Sequence, residues 1–296
     1  MKNLLFALLH STGVLRAIAW CNRKRVTILC YHSVSKRTEP HPTDVDSLHL
    51  TEQRFQQHLD YLQSHHTIIS LGEFLRARRE NRPFPPGAVV LTFEDGFRNF
   101  YSVVAPILLA RQIPATCFII TSPDFTKEVS NCDKEWDLTD DDCFLAWDEI
   151  RELSSHGIEF GSHTSTHVPL SCVSLNEARI ELKDSLNTLV EKVGGSAVAV
   201  SYPHGDTSES VNLLAEAVGY SCALTTALGP NDAECDLFSL RRTVIPGDDD
   251  VPSFAARVSG LTWRWDELRT LFKSLVSDRA PVSAPPYDAS VARSSE

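Results

Sequence analysis

Residues able to carry chemistry gather where strands are expected to end. Val89-Val90-Leu91-Thr92-Phe93 is an apolar, β-branched run that stops at Glu94-Asp95-Gly96. Such a run reads as a buried strand of a parallel sheet, and α/β folds place their chemistry at the C-terminal ends of these strands. Two neighbouring acids there point to different sides, so one can hold a metal while the other handles a proton. Asp-Gly is also a common turn pair, and alone the stretch reads equally well as a surface turn. Farther on, His163 and His167 stand at i and i+4. On a helical turn that spacing brings both imidazoles to one face, where they can bind one metal. Together with one carboxylate they make a site with open positions, suited to a divalent ion that binds water and a substrate oxygen. By itself an HxxxH pair reads more often as two exposed polar residues at a helix start. Other strand ends carry His32, after Val26 to Tyr31, and Tyr202-Pro203-His204-Gly205-Asp206.

Holding these groups together takes an alternation of strands and helices. Strands are expected over Val26–His32, Thr67–Leu71, Val89–Phe93, Ala115–Thr121, Gly157–His163, Val198–Tyr202, Ser221–Thr226 and Leu240–Ile245. Between them the pattern predicts a helix after Thr51 with Phe55, Leu59 and Leu62 as its stripe. Further helices are predicted over Leu71–Arg79, Asn99–Gln112 (with Pro106 as a kink), Trp147–His156, Leu175–Val193 and Ser210–Val218. Ser33–Leu48 and the acidic Ser122–Asp142 stretch read as loops. The alternation argues for one α/β domain with a mainly parallel sheet.

The chain has 296 residues, enough for a large core, and a formal net charge of -11. No basic block offsets that charge, which argues against a nucleic-acid or anionic-membrane partner. Eight cysteines are scattered without a CxxC pair, which excludes a zinc knuckle or thioredoxin-like motif and favours a reducing compartment. A Cys132–Cys143 bridge in the acidic loop stays open. Residues 1–25 read as an N-terminal amphipathic helix, packed on the domain or lying on a membrane surface; the apolar run is too short to span a bilayer. Leu261–Leu275 reads as a last packing helix, and residues 278–296 as a disordered tail. In the absence of a convincing signal peptide, the expected location is the cytoplasm, with peripheral membrane association through the N-terminal helix.

Thr92-Phe93-Glu94-Asp95-Gly96 resembles the TFDDG motif of the polysaccharide deacetylases, the NodB-homology or carbohydrate esterase family 4 proteins. Ser162-His163-Thr164-Ser165-Thr166-His167 matches that family's H(S/T)xxH motif, and Ser201-Tyr202-Pro203-His204-Gly205 is similar to its YPYG motif. The resemblance runs from about Val26 to about Ile245. It implies a distorted (β/α)7-type barrel over residues 26–277 and metal-assisted removal of acetyl groups, mostly N-acetyl, from a sugar. The implied substrate partner is an acetylated sugar, oligosaccharide or lipid-linked glycan. Carried over residue by residue, Asp95, His163 and His167 would bind zinc, cobalt or nickel, and Glu94 would be the base. The Tyr202 N–H would steady the oxyanion, with Pro203 and His204 lining the pocket. Arg242, or its rival Arg241, would orient Glu94 by a bidentate contact.

Two departures bear on activity. The base position is normally Asp, and Glu94 carries its oxygens roughly 1 Å farther. The family's C-terminal general-acid histidine has no counterpart, because no histidine follows Ile245. The poly-N-acetylglucosamine-acting subgroup places this histidine on the N-terminal strand, and on that resemblance His32 is the acid. Two other functions compete: a sugar-binding member of the fold that Glu94 disables, and an amidase for a non-glycan small molecule.

Overall fold

The strand that carries Glu94 and Asp95 lies at the centre of a parallel sheet, and every one of its residues is buried. The computed structural model describes residues 2–36, 48–122, 144–194 and 198–266. It begins with helices α1 (Lys2–Ser11) and α2 (Val14–Asn22), followed by strands β1 (Thr27–Tyr31), β2 (Ser33–Ser35) and β3 (His49–Thr51). Next come α3 (Glu52–His65), β4 (Thr67–Ile68), α4 (Leu71–Arg79), β5 (Ala88–Phe93), α5 (Phe100–Ala110) and β6 (Thr116–Ile119). The rest is α6 (Trp147–Ser155), β7 (Glu159–Ser162), α7 (Leu175–Val193), β8 (Ala199–Ser201), α8 (Glu209–Val218), β9 (Cys222–Leu224), β10 (Thr243–Val244) and α9 (Val251–Val258). All of these elements belong to a unit running from Met1 to Leu261; a second unit starts at Thr262.

The strand order is β10-β1-β5-β6-β7-β8-β9, all parallel, with β4 also beside β5. Leu240 bridges Leu224 of β9, and the same segment continues into β10 beside β1. One stretch of chain therefore joins both edges, and the sheet curls into the distorted (β/α) barrel expected from the sequence.

Register sorts the side chains. Ile28 pairs with Val90 and Cys30 with Thr92. Successive residues of a strand face opposite ways, so Val26, Ile28, Cys30 and His32 share one face with Ala88, Val90, Thr92 and Glu94. The lower residues of that inner face pack with Phe118, Ala199, Cys222, Leu224 and Leu240, closed below by Leu71, Phe74 and Phe84. Leu29, Tyr31, Leu91 and Phe93 face outward under Phe55, Leu59 and Leu62 of α3 and Leu108 of α5. Toward the C-terminal ends the inner face turns polar, and His32 and Glu94 occupy adjacent positions there.

Several expectations need correction. Ser33–Leu48 is not loop throughout, since β2 pairs in parallel with β3. The Asn99–Gln112 helix opens with a π turn over Phe100–Val104, and Pro106 lies in the first turn of the α-helix that follows, where its missing N–H costs nothing. The single helix expected over residues 1–25 is two, α1 and α2, bent by 81° about a break containing Gly13, whose φ is 78°. Phe6 and Leu15 bury themselves against the domain, and the Asn22 amide donates to Ser259 O at 2.8 Å. Among the described residues no single helix is long and apolar enough to cross a membrane, although this bent pair is by length and composition. The Ser122–Asp142 loop beyond Ser122, the Cys132–Cys143 pairing, most of Leu261–Leu275 and the tail from 278 lie outside the described residues.

Candidate metal centre and active site

Phe93 ends the ladder, and the backbone then turns sharply. Asp95 has φ 69° and Gly96 φ 75°. Two left-handed residues in a row swing the Asp95 carboxylate out of the strand's alternation, away from the direction Glu94 takes. Gly96 is required: a Cβ there would lie 2.8 Å from the Ile119 side chain in a conformation that side chains resist.

The two histidines converge on Asp95. His163 Nε2 lies 3.4 Å and His167 Nε2 3.6 Å from Asp95 Oδ1, and the two nitrogens are 3.2 Å apart. Bonds of about 2.1 Å to one ion place donors about 3.4 Å apart at tetrahedral angles and about 3.0 Å apart at right angles, so the triangle has the size of a metal tripod. His163 Nδ1 is 2.8 Å from the Ser201 carbonyl, which makes it a donor and leaves Nε2 bare toward the centre. Burial is the main reason that the His167 pKa falls to about 4, so this ring is neutral, as a ligand must be. The donor set and its geometry fit a divalent ion.

The helical turn expected for His163–His167 is absent. The segment is an irregular turn in which Thr164 and His167 have φ 63° and 59°. Glu181 of α7 holds it, accepting the N–H groups of Ser165 and Thr166 at 2.9 and 2.8 Å and the Thr166 hydroxyl at 2.7 Å. Convergence of the rings thus depends on a side chain from another element rather than on helical periodicity.

Glu94 sits on the inner face, 3% exposed. Its Oε1 accepts from Arg242 Nη1 at 2.6 Å and from the Ser201 hydroxyl. Arg242 is fully buried; its Nη2 donates to Ser201 Oγ at 2.9 Å and its Nε to the Thr225 carbonyl at 2.7 Å. The guanidinium fork therefore spans Glu94 and Ser201, not both oxygens of Glu94 as expected. The rival Arg241 is exposed and its guanidinium reaches the Leu228 carbonyl. Burial alone would raise the Glu94 pKa; Arg242, with His163 and His32, outweighs it and holds the carboxyl well below the usual range. Oε2 faces His32 Nε2 at 3.8 Å and His163 Nε2 at 3.9 Å. One oxygen is clamped and the other points at the reactive space. Ser201 had no signal of its own in the sequence beyond its place one residue before Tyr202.

His32 is slightly exposed, and its Nδ1 is buried without a hydrogen-bond partner among the described residues. Burial lowers its pKa, against the pull of Asp95 and Glu94. Cys30 lies beside Glu94, and burial raises its thiol pKa well above the ordinary value. Within the Cys30–His32–Glu94 group, Glu94 Oε1 is already held by Arg242 and Ser201.

The Tyr202 N–H, expected to face the oxyanion, donates to the Leu224 carbonyl at 3.0 Å as the ladder continues past β8. Gly205 N–H turns back to the Tyr202 carbonyl and Asp206 N–H to the Pro203 carbonyl. That leaves the N–H of His204, which has φ 58° and a ring 4.9 Å from that of His167. Pro203 is buried and starts this turn. An apolar cleft opens beside Asp95, lined by Ile119, Leu145, Trp147 and Ile150.

A family model, Polysaccharide deacetylase, matches residues 81–223. YxkH of Bacillus subtilis is 26% identical over 235 residues, which are 77% of this chain and 76% of that protein. The poly-beta-1,6-N-acetyl-D-glucosamine N-deacetylase of Staphylococcus aureus (strain MRSA252) is 27% identical over 172 residues, covering 55% of this chain and 56% of that enzyme. Among solved structures, the Streptococcus pyogenes deacetylase PplD in complex with acetate superposes with a TM-score of 0.67 at 26% identity, over 79% of this chain and 98% of that one. With the curled parallel sheet and the three motifs at its strand ends, these findings make the chain similar to the polysaccharide deacetylases, in sequence over residues 81–223 and in fold over most of its length.

Proposed function

We propose that the chain hydrolyses N-acetyl groups on the sugars of a glycan, with Glu94 as base and His32 as acid at a centre formed by Asp95, His163 and His167. One observation carries this reading: a donor triangle with sides of 3.2 to 3.6 Å stands beside a carboxylate with one oxygen clamped and the other open. A divalent ion held by the triangle supplies Lewis-acid polarisation of the acetyl carbonyl and lowers the pKa of water in its open position.

The chain's own residues do the rest. Glu94 Oε2 takes the proton of the attacking water while Arg242 and Ser201 keep the carboxylate ionised and aimed. The His204 N–H, in place of that of Tyr202, donates to the oxyanion. His32 delivers a proton to the departing amine, and the apolar cleft beside Asp95 takes the acetyl methyl. The names of the S. aureus relative and of PplD support deacetylation, and the shared length with the former supports a poly-N-acetylglucosamine-like substrate.

Acetate release from a panel of N-acetyl and O-acetyl glycans by zinc- or cobalt-loaded protein tests this. Release is expected to be fastest from β-linked N-acetylglucosamine oligomers and absent in Asp95→Ala. Equal release by Asp95→Ala, or release from O-acetyl glycans alone, refutes it.

A further inference from the structure

The N-terminal helices carry an apolar surface that the barrel does not use. Phe6 and Leu15 face the domain, while Leu4, Leu5, Leu8, Val14 and Trp20 are between 41% and 78% exposed. These are five of the ten exposed large apolar side chains among the described residues. Both helices are thus apolar on two sides, one packed and one facing out, which a helix serving only to cap a soluble domain does not need.

Charge says what covers the outer side. Lys2, Arg16, Arg23, Lys24 and Arg25 precede the first acid of the chain, Glu39, in a protein of net charge -11. Arg16 and Lys24 are exposed, and the Arg23 guanidinium stacks 3.5 Å from the centre of the exposed Trp20 ring. An aromatic ring with a cation on it suits the headgroup level of a bilayer, where the ring sits between apolar and wet layers. Cations flanking an apolar stripe suit anionic lipid. A second copy of the same surface would bring like charges together across the contact, and the acidic remainder of the chain is repelled by the same membrane and held outward.

We infer that the outer face of α1 and α2 docks on an anionic bilayer, lying in its interface rather than crossing it. The packing of Phe6 and Leu15 against the domain keeps the other face from entering the lipid. A catalytic domain held in this way works on glycan at a membrane surface. That last step rests on the proposed function; the docking itself does not.

Flotation of the full chain with phosphatidylcholine vesicles, with and without phosphatidylglycerol, tests it. Binding is expected only with the anionic lipid and is weakened by salt. Leu4→Gln with Leu8→Gln should weaken it about a hundredfold. Arg16→Gln with Lys24→Gln should weaken it about twenty-five-fold, near fivefold per cation. Melting temperature and acetate release should be unchanged in both variants. The inference is overturned if the full chain stays unbound on anionic vesicles or if the leucine variant binds as well as the parent. Sedimentation showing a dimer that the leucine variant dissociates would also overturn it, by assigning the surface to a second copy.

Discussion

Shortening Glu94 by one methylene tests whether the pocket is built for glutamate. In Glu94→Asp the carboxylate withdraws by about 1.5 Å, one carbon–carbon bond. The contact from Arg242 Nη1, now 2.6 Å, opens to about 4 Å if nothing else moves, and the Ser201 hydroxyl loses the same oxygen. A displacement of about 1 Å in a catalytic group costs about a hundredfold in rate, or about 2.7 kcal/mol of barrier. The rest of the cost falls on stability: Arg242 is fully buried and keeps a charge nearby but loses its hydrogen bond, which we put at about 2 kcal/mol. Initial rates of acetate release across substrate concentration, with metal content measured in parallel, should show kcat down about a hundredfold, KM nearly unchanged and metal retained. Glu94→Gln keeps the length and loses the charge, and its kcat should fall further. A Glu94→Asp variant as active as the parent, or more so, would refute the argument, because the clamp would then not be set for glutamate.

Three further outcomes follow from the same geometry. Ser201→Ala leaves Arg242 Nη2 without its partner and Glu94 Oε1 with Arg242 Nη1 alone; kcat should fall about tenfold at constant KM, with about 1 to 3 kcal/mol lost from stability in urea unfolding. His32→Gln should slow release from N-acetyl sugars by about a hundredfold or more yet spare an activated aryl acetate, whose leaving group needs no proton; equal slowing of both would remove the acid role. His58 lies stacked on Phe254 at 3.9 Å, its Nε2 bonded to the Asp249 carbonyl, and burial lowers its pKa to about 4. The folded pKa lies below the unfolded value, so its contribution is full above about pH 6.5 and is lost as pH falls toward 4. Between pH 7 and 5 that loss is about 2 kcal/mol, and urea midpoints of His58→Phe should fall by correspondingly less than those of the parent.

The sequence was most legible where local rules and the fold agree. The β-branched run ending in Glu94-Asp95-Gly96 is a buried central strand because parallel sheets are covered on both faces. Helix α7 has the predicted bounds because Ser174 and Glu177 form a capping box at one end and Gly194, at φ 83°, stops it at the other. What escaped depends on contacts distant in sequence. The His163–His167 turn needs Glu181 from α7, and no spacing rule contains that. The clamp on Glu94 joins three strand ends that only barrel closure brings together. Tyr202 lost its expected role because the ladder to Leu224 extends past the last regular residue of β8. Strands β2 and β3 were missed because each has three residues, too few for a period to show.

Titrating a divalent ion into chelator-stripped protein, while following acetate release from N-acetylglucosamine oligomers, tests the central claim most directly. No release is expected from the stripped protein. With zinc or cobalt, release should rise and saturate at about one ion per chain, as one tripod requires, and Asp95→Ala should neither bind the ion tightly nor turn over. Full activity in the stripped protein, or saturation unaffected by Asp95→Ala, would contradict it.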